Sequence, residues 1–130
     1  MGIRVQITDA PIASESFAKE DIAGCGAVVE FQGVVRPVEH GKPISGIDYE
    51  CFREMAEHQL HILAEKHVAF REINDLLCIH RIGYVPAGET ALYIRMASLH
   101  RTEVFQAMAE FILDVKRLVP IWKHVVKAGA

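Results

Sequence analysis

The amino-acid sequence predicts an α+β fold, a mostly antiparallel sheet with helices packed on it. Three observations predict this class: several segments with a two-residue apolar period, longer segments with a helical period, and middle strands joined too tightly for helical crossovers. Along the chain the expected order is β-α-β-β-α-β-β-α. That order disfavours a parallel dinucleotide-binding arrangement, and the sequence has neither Gly-x-Gly-x-x-Gly nor Gly-Lys-Ser/Thr after a strand.

Each element has its own signal. Ile3, Val5 and Ile7 alternate with Arg4, Gln6 and Thr8, as a half-buried strand does. A turn at Asp9-Ala10-Pro11 follows, and Ser14 is placed to cap a short helix over Glu15 to Ile22 that stops at Gly24. From Ala27 to Val35 a second strand puts Ala27, Val29, Phe31, Gly33 and Val35 on one face. Arg36 to Pro43 contains two prolines and a glycine and is expected to be a loop with room to move. Ile44 to Phe52 reads as a third strand. Arg53 to Phe70 reads as a helix with Ala56, Leu60, Leu63, His67 and Phe70 on one side. Ile73 to Tyr84 and Ala91 to Leu99, joined by the turn Pro86-Ala87-Gly88-Glu89, form an expected antiparallel hairpin. The last helix spans about Thr102 to Leu118, with Phe105, Met108, Ala109, Ile112, Val115 and Val119 as its apolar stripe.

Composition narrows the possible roles. A chain of 130 residues is expected to form one domain, residues 1–130, able to bury about two thirds of its unfolded surface without staples. Fourteen basic against 17 acidic residues give a net charge of −3, which argues against a general nucleic-acid binder and leaves anion recognition to local charge. Cys25, Cys51 and Cys78 are odd in number and contain no Cys-x-x-Cys pair, so they read as reduced thiols and not as a disulfide framework or zinc knuckle. No segment reaches the ~20 apolar residues of a membrane span, and a cytoplasmic protein is expected.

The residues that could carry chemistry lie mainly near the end of the chain. Pro120 lacks an N–H, and its ring collides with the carbonyl of Lys116 in a continuing helix, so the helix must end there. Lys116 then sits in the last turn and Lys123 on the segment that leaves it. Alone, Lys116 does no more than complement the helix dipole, a common arrangement. Trp122 suggests a partly dry wall beside Lys123, the setting in which a lysine becomes a usable acid, base or nucleophile; the plainer reading is a core tryptophan beside a solvated lysine. His100-Arg101, where a strand meets the last helix, combines free helix N–H groups with a guanidinium and suits a phosphate or carboxylate. Arg36 closes an apolar strand just before the loop. The pair His80-Arg81 lies inside a strand pattern and is expected to be structural. His58 and His61, with Glu54, Glu57 and Glu65, are best explained as a solvated helix face, so no metal is expected.

Taken together, Gly33-Val34-Val35-Arg36, the Tyr49-Glu50 to Met55-Ala56 segment, Ile79-His80-Arg81-Ile82-Gly83, Gly88-Glu89, His100-Arg101 with Phe105, and Lys116 to Lys123 occur in the order of one family. From about Gly26 to Lys123 the chain resembles the large, catalytic subunit of molybdopterin synthase. The resemblance implies an α/β hammerhead-type fold and a homodimer with a small subunit docked at each end, making a heterotetramer. It also implies a sulfurtransferase of molybdenum cofactor biosynthesis. Sulfur would pass from the thiocarboxylated Gly-Gly tail of a small ubiquitin-like subunit to cyclic pyranopterin monophosphate, giving the dithiolene of molybdopterin without metal or cofactor. Carried over by position, it implies catalytic roles for Lys116 and Lys123, and substrate binding by Val34, Val35, Arg36, His100 and Arg101. After Lys123 the family pattern of a basic residue, a glutamate and a longer tail gives way to His124-Val125-Val126-Lys127, with the chain stopping at Ala130. That departure supports an alternative expectation, a catalytically degenerate homologue that binds the small subunit or the pterin as a scaffold or regulator.

Overall fold

Alternation and continuous apolar runs sort the strands into edge and centre. The computed structural model describes residues 2–13 and 22–129. Strand β1 (Gly2–Thr8) buries Ile7 and turns Arg4 and Gln6 to water. It forms one edge of a four-stranded sheet in the order β1-β5-β7-β2, with β2 (Ala27–Val34), β5 (Asp75–Arg81) and β7 (Thr90–Ser98). β1 and β5 run parallel; the other two pairings are antiparallel. β5 is buried along its whole length and β7 nearly so, which explains why Leu76-Leu77-Cys78-Ile79 reads as an unbroken apolar run.

Helices α1 (Arg53–Arg71) and α2 (Arg101–Leu118) pack on the face that carries Ile7, Leu76, Cys78, Ile94 and Met96. They are tied to each other by His67 Nε2 to Asp114 Oδ2 at 2.8 Å and by Arg71 to Glu110 at 2.6 Å. The α+β expectation holds. Helix α2 also ends as expected, with Val119 extended at φ −84°, ψ 127° ahead of Pro120.

A second sheet lies at one end of the first. β3 (Val38–Glu39), β4 (Lys42–Cys51) and β6 (Gly83–Pro86) are neighbours in it, and β8 (Ile121–Lys127) pairs with β4. This sheet corrects three sequence expectations. The segment Arg36 to Pro43 is not an open loop: β3 and β4 form a hairpin closed by His40 and Gly41, whose φ values of 51° and 76° suit a tight two-residue turn. The expected strand Ile73 to Tyr84 breaks at Gly83, where φ of 82° swings Gly83–Pro86 out of the first sheet to pair with β4. The chain after Pro120 forms a strand, β8, that no local signal announced.

Two apolar stripes also turn out differently. On α2 the buried residues are Val104, Ala107, Met108, Phe111 and Val115, while Phe105 is 60% exposed and Ala109 also faces solvent. Both arcs of this helix are apolar, and packing on the sheet selects the one centred a residue away. On α1, Ala56, Leu60, Leu63 and His67 are buried as expected, but Phe70 is exposed beneath the guanidinium of Arg71, 4.9 Å from its ring. The short helix expected from Glu15, with Ser14 as its cap, lies outside the described residues except for its last position, Ile22.

Candidate functional site

The junction of the two sheets leaves a cleft of about 550 Å³ beside the C-terminal end of α2. Its apolar floor includes Phe31 from β2, Leu92 from β7, and Val115 and Val119 from α2. Its rim carries charge.

Each charged group arrives by a different local device. At the end of β2 the register with β7 shifts between Gly33 and Val34, where Ala91 of β7 is passed over and the regular pairing ends. Val35 is then fixed by its N–H donating to the carbonyl of Glu89 and its carbonyl accepting from Gly88, at 3.0 and 2.8 Å. Arg36 is delivered at the mouth of the cleft with its side chain 76% exposed. Lys116 comes from the last turn of α2, which Pro120 terminates, and forms no ion pair among the described residues. Lys123 comes from β8, directly opposite Tyr49 of β4. Five expected site residues, Val34, Val35, Arg36, Lys116 and Lys123, therefore line one cleft.

Three further lining residues were not anticipated. Glu39 stands between the cations, with Oε2 3.3 Å from Arg36 and Oε1 3.8 Å from Lys123. Nothing in the local sequence marks this acid, since the hairpin that holds it was itself unforeseen. Tyr49 half-buries its ring against His80, edge-on at 5.2 Å. Burial and the nearby Glu39 carboxylate raise the Tyr49 pKa, so the phenol stays protonated at neutral pH. His80 points its Nδ1–H at the carbonyl of Arg81, 2.8 Å away, which makes Nε2 the unprotonated nitrogen. Burial lowers the His80 pKa, outweighing that hydrogen bond, and keeps the ring neutral. A histidine ending an apolar run was the available signal. Of the pair assigned a structural role, Arg81 fits, with Nη1 2.6 Å from Glu89, while His80 belongs to the cleft.

His100 and Arg101 are placed elsewhere. His100 is the N-cap of α2 without a side-chain capping bond, and both residues are exposed. Fifteen residues of helix separate Arg101 from Lys116, about 22 Å at 1.5 Å per residue. Within one chain they do not meet the lysines. Of the two readings of Trp122, the dry wall fails and the plainer one holds in part: Lys123 is solvated, with 53% of its side chain exposed, but Trp122 is no core residue, since strand alternation sends it to the other face, 47% exposed, where it meets Phe52 at 6.1 Å.

A cation-rimmed cleft with an apolar floor, part of it supplied by the end of a helix, is suited to an anionic organic ligand. The site and the α+β fold around it define the class, an α+β protein with a cation-rimmed cleft between two sheets, and comparison with known proteins gives the family. The family model described as MoaE protein matches residues 7–118, and the chain belongs to that family. It is 38% identical over 99 residues to the molybdopterin synthase catalytic subunit of Thermoplasma volcanium, covering 76% of this chain and 72% of that protein. The catalytic subunit of Oryza sativa subsp. indica is 33% identical over 78% of this chain, which spans about half, 52%, of the rice protein. Among solved structures, molybdopterin synthase from Staphylococcus aureus superposes with a TM-score of 0.86 at 29% identity, covering 95% of this chain and 91% of that one. A complex of subunits 1 and 2 of the molybdopterin-converting factor from Helicobacter pylori shares the fold, with a TM-score of 0.77 at 20% identity over 96% of this chain and 90% of that one. Family membership and these names place the chain in molybdenum cofactor biosynthesis. No described helix is long and apolar enough to cross a membrane.

Proposed function

We propose that the chain is a sulfurtransferase acting as a single catalytic domain over residues 1–130, in the cytoplasm. It accepts sulfur from the thiocarboxylated tail of a small ubiquitin-like subunit and delivers it to cyclic pyranopterin monophosphate, producing the dithiolene. The observation that carries this reading is the convergence of Arg36, Lys116 and Lys123 on one cleft with an apolar floor in a member of this family. The floor suits a pterin ring, and the cations suit its phosphate and the tail carboxyl. Opening a cyclic phosphate and releasing a carboxylate both develop negative charge, which two ammonium groups stabilise and one can protonate. Lys116 and Lys123 are the catalytic pair; Val34, Val35 and Arg36 hold the substrate.

His100 and Arg101 enter this reading only across a homodimer, since the length of α2 keeps them from the cleft of their own chain. In a heterotetramer of two such chains and two small subunits, the two residues of one copy bind substrate in the cleft of the other. The complex formed by the Helicobacter pylori relative supports a small-subunit partner.

The test combines the purified chain with a thiocarboxylated small subunit and the cyclic pterin precursor and follows dithiolene formation. Product is expected, and it should be lost in Lys123→Ala. Arg101→Ala and Lys123→Ala chains, each inactive alone, should recover activity when mixed. Binding of the small subunit without any product would instead favour the degenerate scaffold reading, which the altered segment His124 to Lys127 motivates.

A further inference from the structure

Among the described residues that line the cleft, Glu39 is the one acid. Its carboxylate uses one oxygen for Arg36 at 3.3 Å and the other for Lys123 at 3.8 Å, and its side chain is only 11% exposed. Two cations that would repel each other in an empty cleft are thus bridged by an anion supplied by the protein. The backbone of Glu39 is held by ladder pairing with Lys42 immediately before the tight His40-Gly41 turn.

We propose that Glu39 is a resident counter-anion, a positioning residue that holds Arg36 and Lys123 together in the empty cleft and gives way to an incoming anionic group. This rests on the function proposed above for the same cleft and adds a specificity device to it. An anion must outcompete the carboxylate for both cations, so weakly charged molecules and simple anions are disfavoured, and a ligand that also fills the apolar floor is favoured. Lys116, which Glu39 does not engage, remains free for the first encounter.

The experiment is a titration with inorganic sulfate, a dianion at any working pH, read by calorimetry. Glu39→Gln retains the size of the side chain and removes its charge. It should bind sulfate about tenfold more tightly at low ionic strength, the scale of one unit charge a few ångströms away in a partly solvated site. The gain should shrink as salt screens it. It should also disappear in Glu39→Gln/Lys123→Ala. Glu50→Gln makes the same change in net charge on an exposed β4 residue that does not line the cleft, and it should leave the affinity as it was. Equal or weaker sulfate binding by Glu39→Gln, no measurable binding by either protein, or an equal gain in Glu50→Gln would overturn the proposal. Dithiolene formation reports separately: product with no gain in sulfate affinity rejects the counter-anion alone, and a gain without product rejects sulfur transfer alone.

Discussion

Lys123 stands directly opposite Tyr49 in the β4–β8 ladder, and the Tyr49 ring in turn meets His80 edge-on at 5.2 Å. A lysine beyond the last helix is thereby registered against the end of a central strand of the other sheet. A slip of one residue in β8 would turn Lys123 out of the cleft and bring Trp122 in, so the ladder fixes which of the two neighbours does chemistry.

Replacing either lysine should separate activity from stability. Both side chains are exposed, so Lys116→Ala and Lys123→Ala should each unfold in urea within about 0.5 kcal/mol of the parent. Dithiolene formation should fall at least about a hundredfold in each, the scale of a lost proton donor or charge stabiliser. Near-normal turnover in either variant would remove that residue from the catalytic pair.

His80 should make the fold acid-sensitive. Its folded pKa lies below the ordinary value of 6.5 because it is buried, whereas in the unfolded chain it takes up a proton near that value. Its contribution is therefore complete above pH 6.5 and is lost as pH falls toward the folded pKa, by at most about 1.4 kcal/mol one unit below. His80→Asn, which keeps a donor for the Arg81 carbonyl, should lose less stability than the parent between about pH 7.5 and 5.5 in urea titrations. Identical losses in the two proteins would contradict a neutral buried ring.

Gly46 should tolerate no side chain. A β-carbon there would run into the carbonyl oxygen of Val85 and sit 2.8 Å from the Tyr84 ring, in the ladder that joins β4 to β6. Gly46→Ala should cost about 1–3 kcal/mol by denaturant unfolding. An unchanged midpoint would mean that β6 is free to move away from β4.

The three cysteines should react in sequence. Cys78 is buried in the centre of β5, and burial drives its pKa far above the usual thiol range, so almost no thiolate is present in the folded protein. Cys25 and Cys51 are partly exposed. A thiol-specific chromogenic reagent should label these two in the native protein and Cys78 only on unfolding. Three equivalents released under native conditions would show that β5 opens.

Local patterns carried a good part of the fold because they report one face of one element at a time. The alternation in Ile3 to Ile7, the apolar run before His80, and the clash of Pro120 with the turn below it each need only their neighbours, and each appears as expected. The stripe on α2 held at Met108, Val115 and Val119 and failed at Phe105 and Ala109, because Phe105 and Phe111 belong to two competing apolar arcs and the choice between them rests with the sheet beneath. The hairpin at His40-Gly41 was hidden because a Pro- and Gly-rich stretch codes for turns without saying whether two residues on each side will pair.

The sequence by itself determined that this is an α+β chain whose last helix stops at Leu118, with Lys116 and Lys123 on either side of the stop, and its ordered motifs pointed to the family. Tertiary structure alone decided which cations share a cleft. Arg36 and Lys123 meet because the irregular end of the β2–β7 pairing and the β4–β8 ladder bring distant segments to the junction of two sheets, while α2 holds His100 and Arg101 a full helix length away. Pairing between remote strands has no local code, and so Glu39, the carboxylate that links the two cations, became visible only when those strands were brought together.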